Sequence, residues 1–386
     1  MALDDERFAR SPWGRFVRRL LKALADGGAT VRVATSDRWL QAGLDDEPPP
    51  ASVERVPLAG YDETSEILLR SAELVEAALA LGRGDGRPGC VLCPSWPSGL
   101  AAWSVSAALD VPLVTYLPPE VPVPGDHPET RRYWREMAGW IEAHARRFVT
   151  PTAGPRTDDR RAGGAPARFR HVRPGIPPDD GSGLQAHLPD FRALFAEARQ
   201  PLIVLVDHGS VGVGLRLLPA LAGRLTGAGL VAVLQADLDE ATQRAVAPWV
   251  QAGRVTVRTG FAGRALEALF TVADVVLMPG TTVAAGLLAM EAMACGTPVI
   301  VSDEGWAAEI VQHGVSGLRV TGADVSAWCD AAAGLVDHPD RRERLAEAGR
   351  GRLASAYGLK ACATRFARVL REAGAAGSRT TKGTGE

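Results

Sequence analysis

The chain reads as α/β, built from two doubly wound parallel sheets whose helical crossovers cover both faces. Three observations point there. Short apolar runs alternate with amphipathic helical patterns, as strands joined by crossover helices require. The alternation occurs as two series, separated by a Pro-, Gly- and Asp-rich stretch from Arg173 to Gly183 that supplies no periodic core face. And 386 residues exceed one ordinary domain.

In chain order, the first series offers strands at Thr30–Thr35, Val53–Leu58, Gly89–Cys93, Pro112–Tyr116 and Phe148–Thr150. Helical spacing appears between them at Arg15–Leu24, Glu66–Leu81 and Thr130–Arg146. The second series offers strands at Leu202–Val206, Leu230–Leu234, Val255–Arg258, Val275–Met278 and Pro298–Val301. A final helix is expected over Lys360–Glu372, followed by a polar tail read as disordered. The domain expectation is therefore an N-terminal unit over 1–174 and a linker with domain entry over 175–200. A C-terminal unit spans 201–356, a terminal helix over 357–374 returns to the first unit, and a tail covers 375–386. Two such sheets leave a cleft between their carboxyl ends, where ligands of doubly wound folds bind.

Composition narrows the function classes. A 46% hydrophobic, 23% charged chain with net charge −2 is globular in character and lacks the basic surface of a general nucleic-acid binder. No apolar run reaches spanning length and no secretory leader precedes the first helix, so the expected location is cytoplasmic, with peripheral attachment at the inner membrane face as a variant. The helix Arg15–Leu24 carries Arg15, Arg18, Arg19 and Lys22 opposite Phe16, Val17, Leu20, Leu21 and Leu24. This reads as a solvated basic face on a core-packed helix rather than a lipid-docking one. Tyr133, Trp134 and Trp140 read as core aromatics rather than an acceptor pocket. Cys90 and Cys93 sit on opposite faces of an apolar strand and cannot share a metal, so they read as buried core cysteines; the 5 cysteines offer no second pair, and no metal site is expected.

The most informative segment runs from Ala273 to Val320. A buried strand ends at Met278, and the turn Pro279-Gly280-Thr281-Thr282 follows. A helix then starts near Ala284 and runs to Ala294, with Glu291 two turns inside it. Small residues in its first turn (Ala284, Ala285, Gly286) leave backbone N–H groups uncovered, the makings of an anion site. Gly296-Thr297-Pro298 stops the helix and starts the next strand.

This segment resembles glycosyltransferase family 4 (glycosyl transferases group 1), the retaining enzymes of the GT-B fold. The resemblance rests on Ala273-Asp274-Val275, Pro279, Gly286-Leu287, the run Glu291-Ala292-Met293-Ala294-Cys295-Gly296-Thr297-Pro298-Val299-Ile300, Ser302-Asp303, Glu309-Ile310-Val311, Gly314 and Gly317. Weaker likenesses extend along the chain. Trp13-Gly14-Arg15 is similar to the family's acceptor-side glycine loop, and Val172–Ile176 to the strand that leads into its linker. Asp324–Arg371 is similar to its terminal helices. The resemblance implies that Glu291 binds the ribose of a donor nucleotide, that the N–H groups of Ala285, Gly286 and Leu287 hold its diphosphate, and that Thr259-Gly260-Phe261 lies against the base. It places Thr281, Thr282 and Val283 at the donor sugar.

The sequence also departs from the family. The glutamate expected at the sugar is replaced by Val283. The Arg and Lys expected at the leaving diphosphate align with His208 and Val213, and an expected histidine aligns with Pro118. The family's first strand is missing from the pattern. The loop from Asp207 to Gly214 compensates in part. Gly212 and Gly214 let backbone N–H groups approach a phosphate, and a protonated His208, beside Asp207, supplies positive charge; a plain strand-to-helix turn is the alternative reading of those glycines. Losing two cations from the leaving group would cost about four orders of magnitude in rate.

Two functions follow. One is a nucleotide-sugar-dependent hexosyltransferase acting with retention on a small-molecule or glycan acceptor, in carbohydrate or natural-product biosynthesis, with no metal and no cofactor beyond its donor. The other is a degenerate GT-B pseudoenzyme serving a catalytic glycosyltransferase. A homodimer or a heteromer with such an enzyme is the expected partnership. An epimerase on the same fold has no residue in its favour.

Overall fold

A computed structural model describes residues 2–3, 11–36, 52–56, 66–83, 87–96, 98–118, 128–152, 168–177, 188–197, 200–207, 213–234, 240–261, 263–322 and 324–380. The chain divides into two units, residues 1–175 with 359–386, and residues 176–358.

In the first unit β1 (Ala2–Leu3), β2 (Arg32–Ser36) and β3 (Ser52–Val56) form one parallel ladder in that order, and β4 (Val91–Cys93), β5 (Leu113–Tyr116), β6 (Arg147–Thr150) and β7 (Phe169–His171) form another. The expected missing first strand is thus present as β1, paired Ala2 to Ala34 and Leu3 to Thr35. Two residues are too few to carry an alternating or apolar-run pattern, so periodicity could not find it. The strand expected over Val172–Ile176 lies upstream at β7. Val172 makes one more ladder-like bond, its N–H to the Thr150 carbonyl at 3.1 Å, and Pro174 then has no N–H to continue with.

Helix α1 (Pro12–Asp26) starts where Ser11 caps it, the Gly14 N–H reaching the Ser11 hydroxyl at 3.0 Å with Pro12 in the first position. Its basic side is not the solvated face expected. Arg15 and Arg18 are 6% and 5% exposed, and each makes at least one hydrogen-bond, charge or ring contact. Burial reaches the guanidinium Nε of both, so charge on a helix face did not predict exposure. Helices α2 (Glu66–Arg83), α3 (Gly99–Leu109) and α4 (Pro128–His144) complete the crossovers. Trp140 packs edge-on against Trp103, ring centroids 4.4 Å apart.

The second unit is a six-stranded parallel sheet of order β10-β9-β8-β11-β12-β13. The strands are β8 (Leu202–Asp207), β9 (Gly229–Leu234), β10 (Val255–Thr259), β11 (Val275–Met278), β12 (Val299–Ser302) and β13 (Leu318–Val320). Every residue of β8, β9, β11 and β12 is buried, the mark of strands covered on both faces. The covering helices are α5 (Leu188–Ala193), α6 (Val213–Arg224), α7 (Glu240–Gln251), α8 (Gly263–Val272), α9 (Val283–Ala294), α10 (Trp306–Ile310), α11 (Val325–Val336) and α12 (Pro339–Ala356). Helix α5 lies inside the stretch read from sequence as linker. At the amino edge Asp274 fastens the sheet. Its carboxylate accepts the Leu202 N–H and the Arg192 guanidinium, both at 2.8 Å, and faces Arg342 at 3.4 Å. This motif residue therefore has a structural job at the end of the sheet away from the strand-to-helix loops.

The last helix, α13 (Leu359–Thr380), belongs to the first unit and runs past the expected end at Glu372. The tail reading is corrected as far as Thr380. Ala373 is fully buried, and Ala375 and Ala376 sustain helix where Gly374 and Gly377 alone would weaken it. Residues 381–386 lie outside the described residues. Among the described residues no helix is long and apolar enough to cross a membrane.

Candidate functional site

The second unit's strand order marks the position at which open parallel sheets bind ligands. Chain order runs outward from β8 to β9 and β10 on one side, then returns to β11, β12 and β13 on the other. The switch point lies between β8 and β11, and in open parallel sheets the crevice outside the carboxyl ends at that point takes the ligand. Two loops open there, the one after Asp207 and the one from Pro279 to Thr282.

Asp207 ends β8, 8% exposed. Its carboxylate lies over Gly214 in the first turn of α6, so close that a Cβ on that glycine would stand 2.8 Å from the Asp207 Oδ2. Gly214 is thus required by the aspartate above it. His208 and Gly212 lie outside the described residues. Val213 is the first residue of α6.

Thr282 caps α9 with two bonds. Its hydroxyl accepts the Ala285 N–H at 3.2 Å, and its carbonyl accepts the Gly286 N–H at 3.2 Å. The expectation that small residues leave the first-turn N–H groups of α9 uncovered is therefore corrected for Ala285 and Gly286 in this structure. Both are held by Thr282, and the Leu287 N–H lies within the helical ladder. An anion reaching Ala285 has to displace the threonine hydroxyl. Small side chains leave room at a helix start, but a capping threonine fills the hydrogen bonds.

The next side chain, Val283, is 1% exposed. The isopropyl group is buried, whereas of the other two residues placed at the donor sugar Thr281 is exposed and Thr282 half-buried. Burial follows from chemistry, because the group has no polar atom to hold at the surface. Glu291 sits further along α9, 6% exposed, and makes at least one hydrogen-bond or electrostatic contact. A carboxylate this buried must be hydrogen-bonded, since desolvation without compensation costs several kcal/mol.

Two contacts here were not legible in the sequence. Gly305, at φ +76°, passes so close to the loop after β11 that a Cβ would be 2.1 Å from the Thr281 carbonyl oxygen. Trp306 opens α10 and lies on Gly286, where a Cβ would meet the indole at 2.3 Å. The buried Trp306 Nε1–H has no hydrogen-bond partner among the described residues. The glycine after Asp303-Glu304 was the available signal, though it could not say what it approaches. Gly286→Val is expected to destabilise the second unit by ~1–3 kcal/mol, the usual cost of overpacking. Denaturant unfolding checks it, and an unchanged midpoint would mean the indole swings away freely.

Thr259, Gly260 and Phe261 come off the carboxyl end of β10, an edge strand of the same sheet, with Gly260 at φ +71° and Phe261 half-buried. Two strand spacings separate β10 from β8, about 10 Å, so this loop borders the crevice rather than lining the switch point. In the first unit, Trp13, Gly14 and Arg15 form the opening turn of α1 instead of a loop. The Trp13 indole N–H donates to the Pro94 carbonyl at 2.8 Å, its ring packs against Phe16 and Tyr116, and the Gly14 N–H is spent on the Ser11 cap. Pro118 is half-buried, its carbonyl accepting the Trp96 N–H at 3.1 Å. Among the described residues no group of three His, Cys, Asp or Glu side chains is placed to hold a metal.

Comparison with known proteins fits this architecture. The sequence family described as Glycosyl transferases group 1 matches residues 253–352, and the Glycosyl transferase 4-like domain matches residues 13–175. The chain is 28% identical over 365 residues to D-inositol 3-phosphate glycosyltransferase of Paenarthrobacter aurescens, covering 89% of this chain and 87% of that protein. It superposes on sucrose-phosphate synthase from Thermosynechococcus elongatus with TM-score 0.74 at 22% identity, covering 97% of this chain and 99% of that one. It also superposes on Anabaena HepE in complex with UDP and glucose with TM-score 0.71 at 14% identity, covering 96% and 98%.

Proposed function

We propose that this chain, which belongs to the GT-B glycosyltransferases of family 4 (glycosyl transferases group 1), moves a sugar from a nucleoside-diphosphate donor to an acceptor with retention. The observation that carries the reading is Glu291, a buried carboxylate on the helix that leaves the switch point between β8 and β11. On this reading Glu291 accepts the ribose hydroxyls and Thr259-Gly260-Phe261 flanks the base. The diphosphate lies between the loop after β8 and the Thr282 end of α9. The loop 207–214 then meets the leaving group, with His208 as its cation. The UDP complex of one structural neighbour supports a uridine donor, and the relative's name supports a phosphorylated polyol acceptor. We place the activity in the cytoplasm, without a metal requirement, in a homodimer or beside a second glycosyltransferase.

Glu291→Ala is expected to weaken UDP binding by ~1–3 kcal/mol, the loss of hydrogen bonds to a charged group. Calorimetric titration of UDP and GDP into both proteins checks this. Unchanged affinity in a folded variant would remove Glu291 from the site.

A second reading, a pseudoenzyme supporting a catalytic partner, is favoured by Val283. The position that carries a carboxylate in the family is a buried apolar side chain here, so a sugar hydroxyl finds no acceptor on it.

A further inference from the structure

The first unit contains a cavity of about 470 Å³ that the transfer reaction does not use. It opens at the amino-terminal edge of the sheets, beside the starts of β2 and β4. Trp13 and Pro94 lie at the other end of β4, so the cavity is separate from the acceptor-side positions. Its volume falls in the ~300–1,000 Å³ range of small-molecule sites.

The lining has two parts. The walls are apolar: Leu21 and Leu24 of α1, Leu81 of α2, Val105 and Leu109 of α3, and Leu370 of α13. The polar part is cationic, with Arg32, Arg87 and Arg371 all bordering the space and no carboxylate among the lining residues. Two of these guanidinium groups are anchored. Arg32 donates to the Leu81 carbonyl at 2.7 Å, and Arg87 pairs with the Asp110 carboxylate at 3.2 Å. Arg371 is exposed and has no hydrogen-bond or ion-pair partner among the described residues. One wall is fixed by a close backbone approach, since a Cβ on Gly374 would stand 3.2 Å from the Gly89 carbonyl oxygen. Helix α13 therefore lies directly on the chain leading into β4.

We propose that this cavity binds an anionic amphiphile, a single alkyl chain ending in a carboxylate or phosphate. The chain leaves water for the leucine and valine walls, and the anion meets the arginine rim through charge-assisted hydrogen bonds. An uncharged alcohol lacks the second contribution and a bare anion lacks the first.

The test is calorimetric titration of the full-length protein with dodecanoate and with dodecyl phosphate, each below its micelle concentration. Dodecanol, acetate and inorganic phosphate serve as controls. Saturable binding of an anionic amphiphile is expected, and the tighter of the two identifies the head group. Arg371→Glu, at an exposed position, should weaken it about tenfold or more. Leu370→Trp, which fills the space from a half-buried position, should remove it with the circular dichroism spectrum unchanged. The proposal is overturned if neither amphiphile binds saturably, if dodecanol binds as tightly as dodecanoate, or if both variants bind like the wild type.

Discussion

Replacing His208 with alanine is expected to lower sugar transfer by about two to three orders of magnitude, ~3–4 kcal/mol in the barrier. The loop that contains it leaves β8 at the switch point, directly after the buried Asp207. On the proposed reading a departing diphosphate develops negative charge there, and the neighbouring carboxyl-end loop offers little against it. Thr282 occupies the Ala285 and Gly286 N–H groups, and Val283 is buried. The imidazolium of His208 is then the cation that the 207–214 loop can bring. Only the protonated ring carries the charge, so transfer should fall toward alkaline pH, and the alanine variant should lose that dependence. A radiolabelled transfer assay across a panel of nucleotide sugars measures both. If the isolated protein turns over no donor, while a co-purifying glycosyltransferase depends on it for activity, the pseudoenzyme reading replaces the enzyme one.

Phe366→Ala is expected to destabilise the first unit by ~3–5 kcal/mol, the range for emptying an aromatic site in a core. Phe366 is fully buried and stacks on Tyr116, ring centroids 4.8 Å apart and planes 28° from parallel. Tyr116 in turn touches Trp13 and Phe16 and donates its hydroxyl to the Val172 carbonyl at 2.6 Å, and burial holds its phenol well above the ordinary pKa. One ring on the last helix thus supports β5, α1 and the turn after β7 together. Hydrogen exchange of the Leu113–Tyr116 amides is the local readout, free of the second unit's own unfolding. Protection within about 1 kcal/mol of wild type would mean that α13 can leave the unit without consequence.

The amino-acid sequence alone was enough for the fold class, because parallel strands covered on both faces must be continuous apolar runs. Those of β8, β9, β11 and β12 stand out for that reason. The ordered match from Ala273 to Gly317 was equally legible, because several of its residues answer local backbone requirements. Gly296 at φ +80° after α9 is one example. Two short terminal strands of their sheets were not legible: β1 has two residues and β13 three. Nor were contacts between residues distant in sequence. Whether Arg15 and Arg18 meet solvent, whether Val283 borders a crevice or a core, and what lies against Gly286 and Gly305 depend on neighbours supplied by other elements. A helix start with small residues predicts exposed N–H groups only until a side chain caps it. Here Thr282 does so, its hydroxyl accepting the Ala285 N–H.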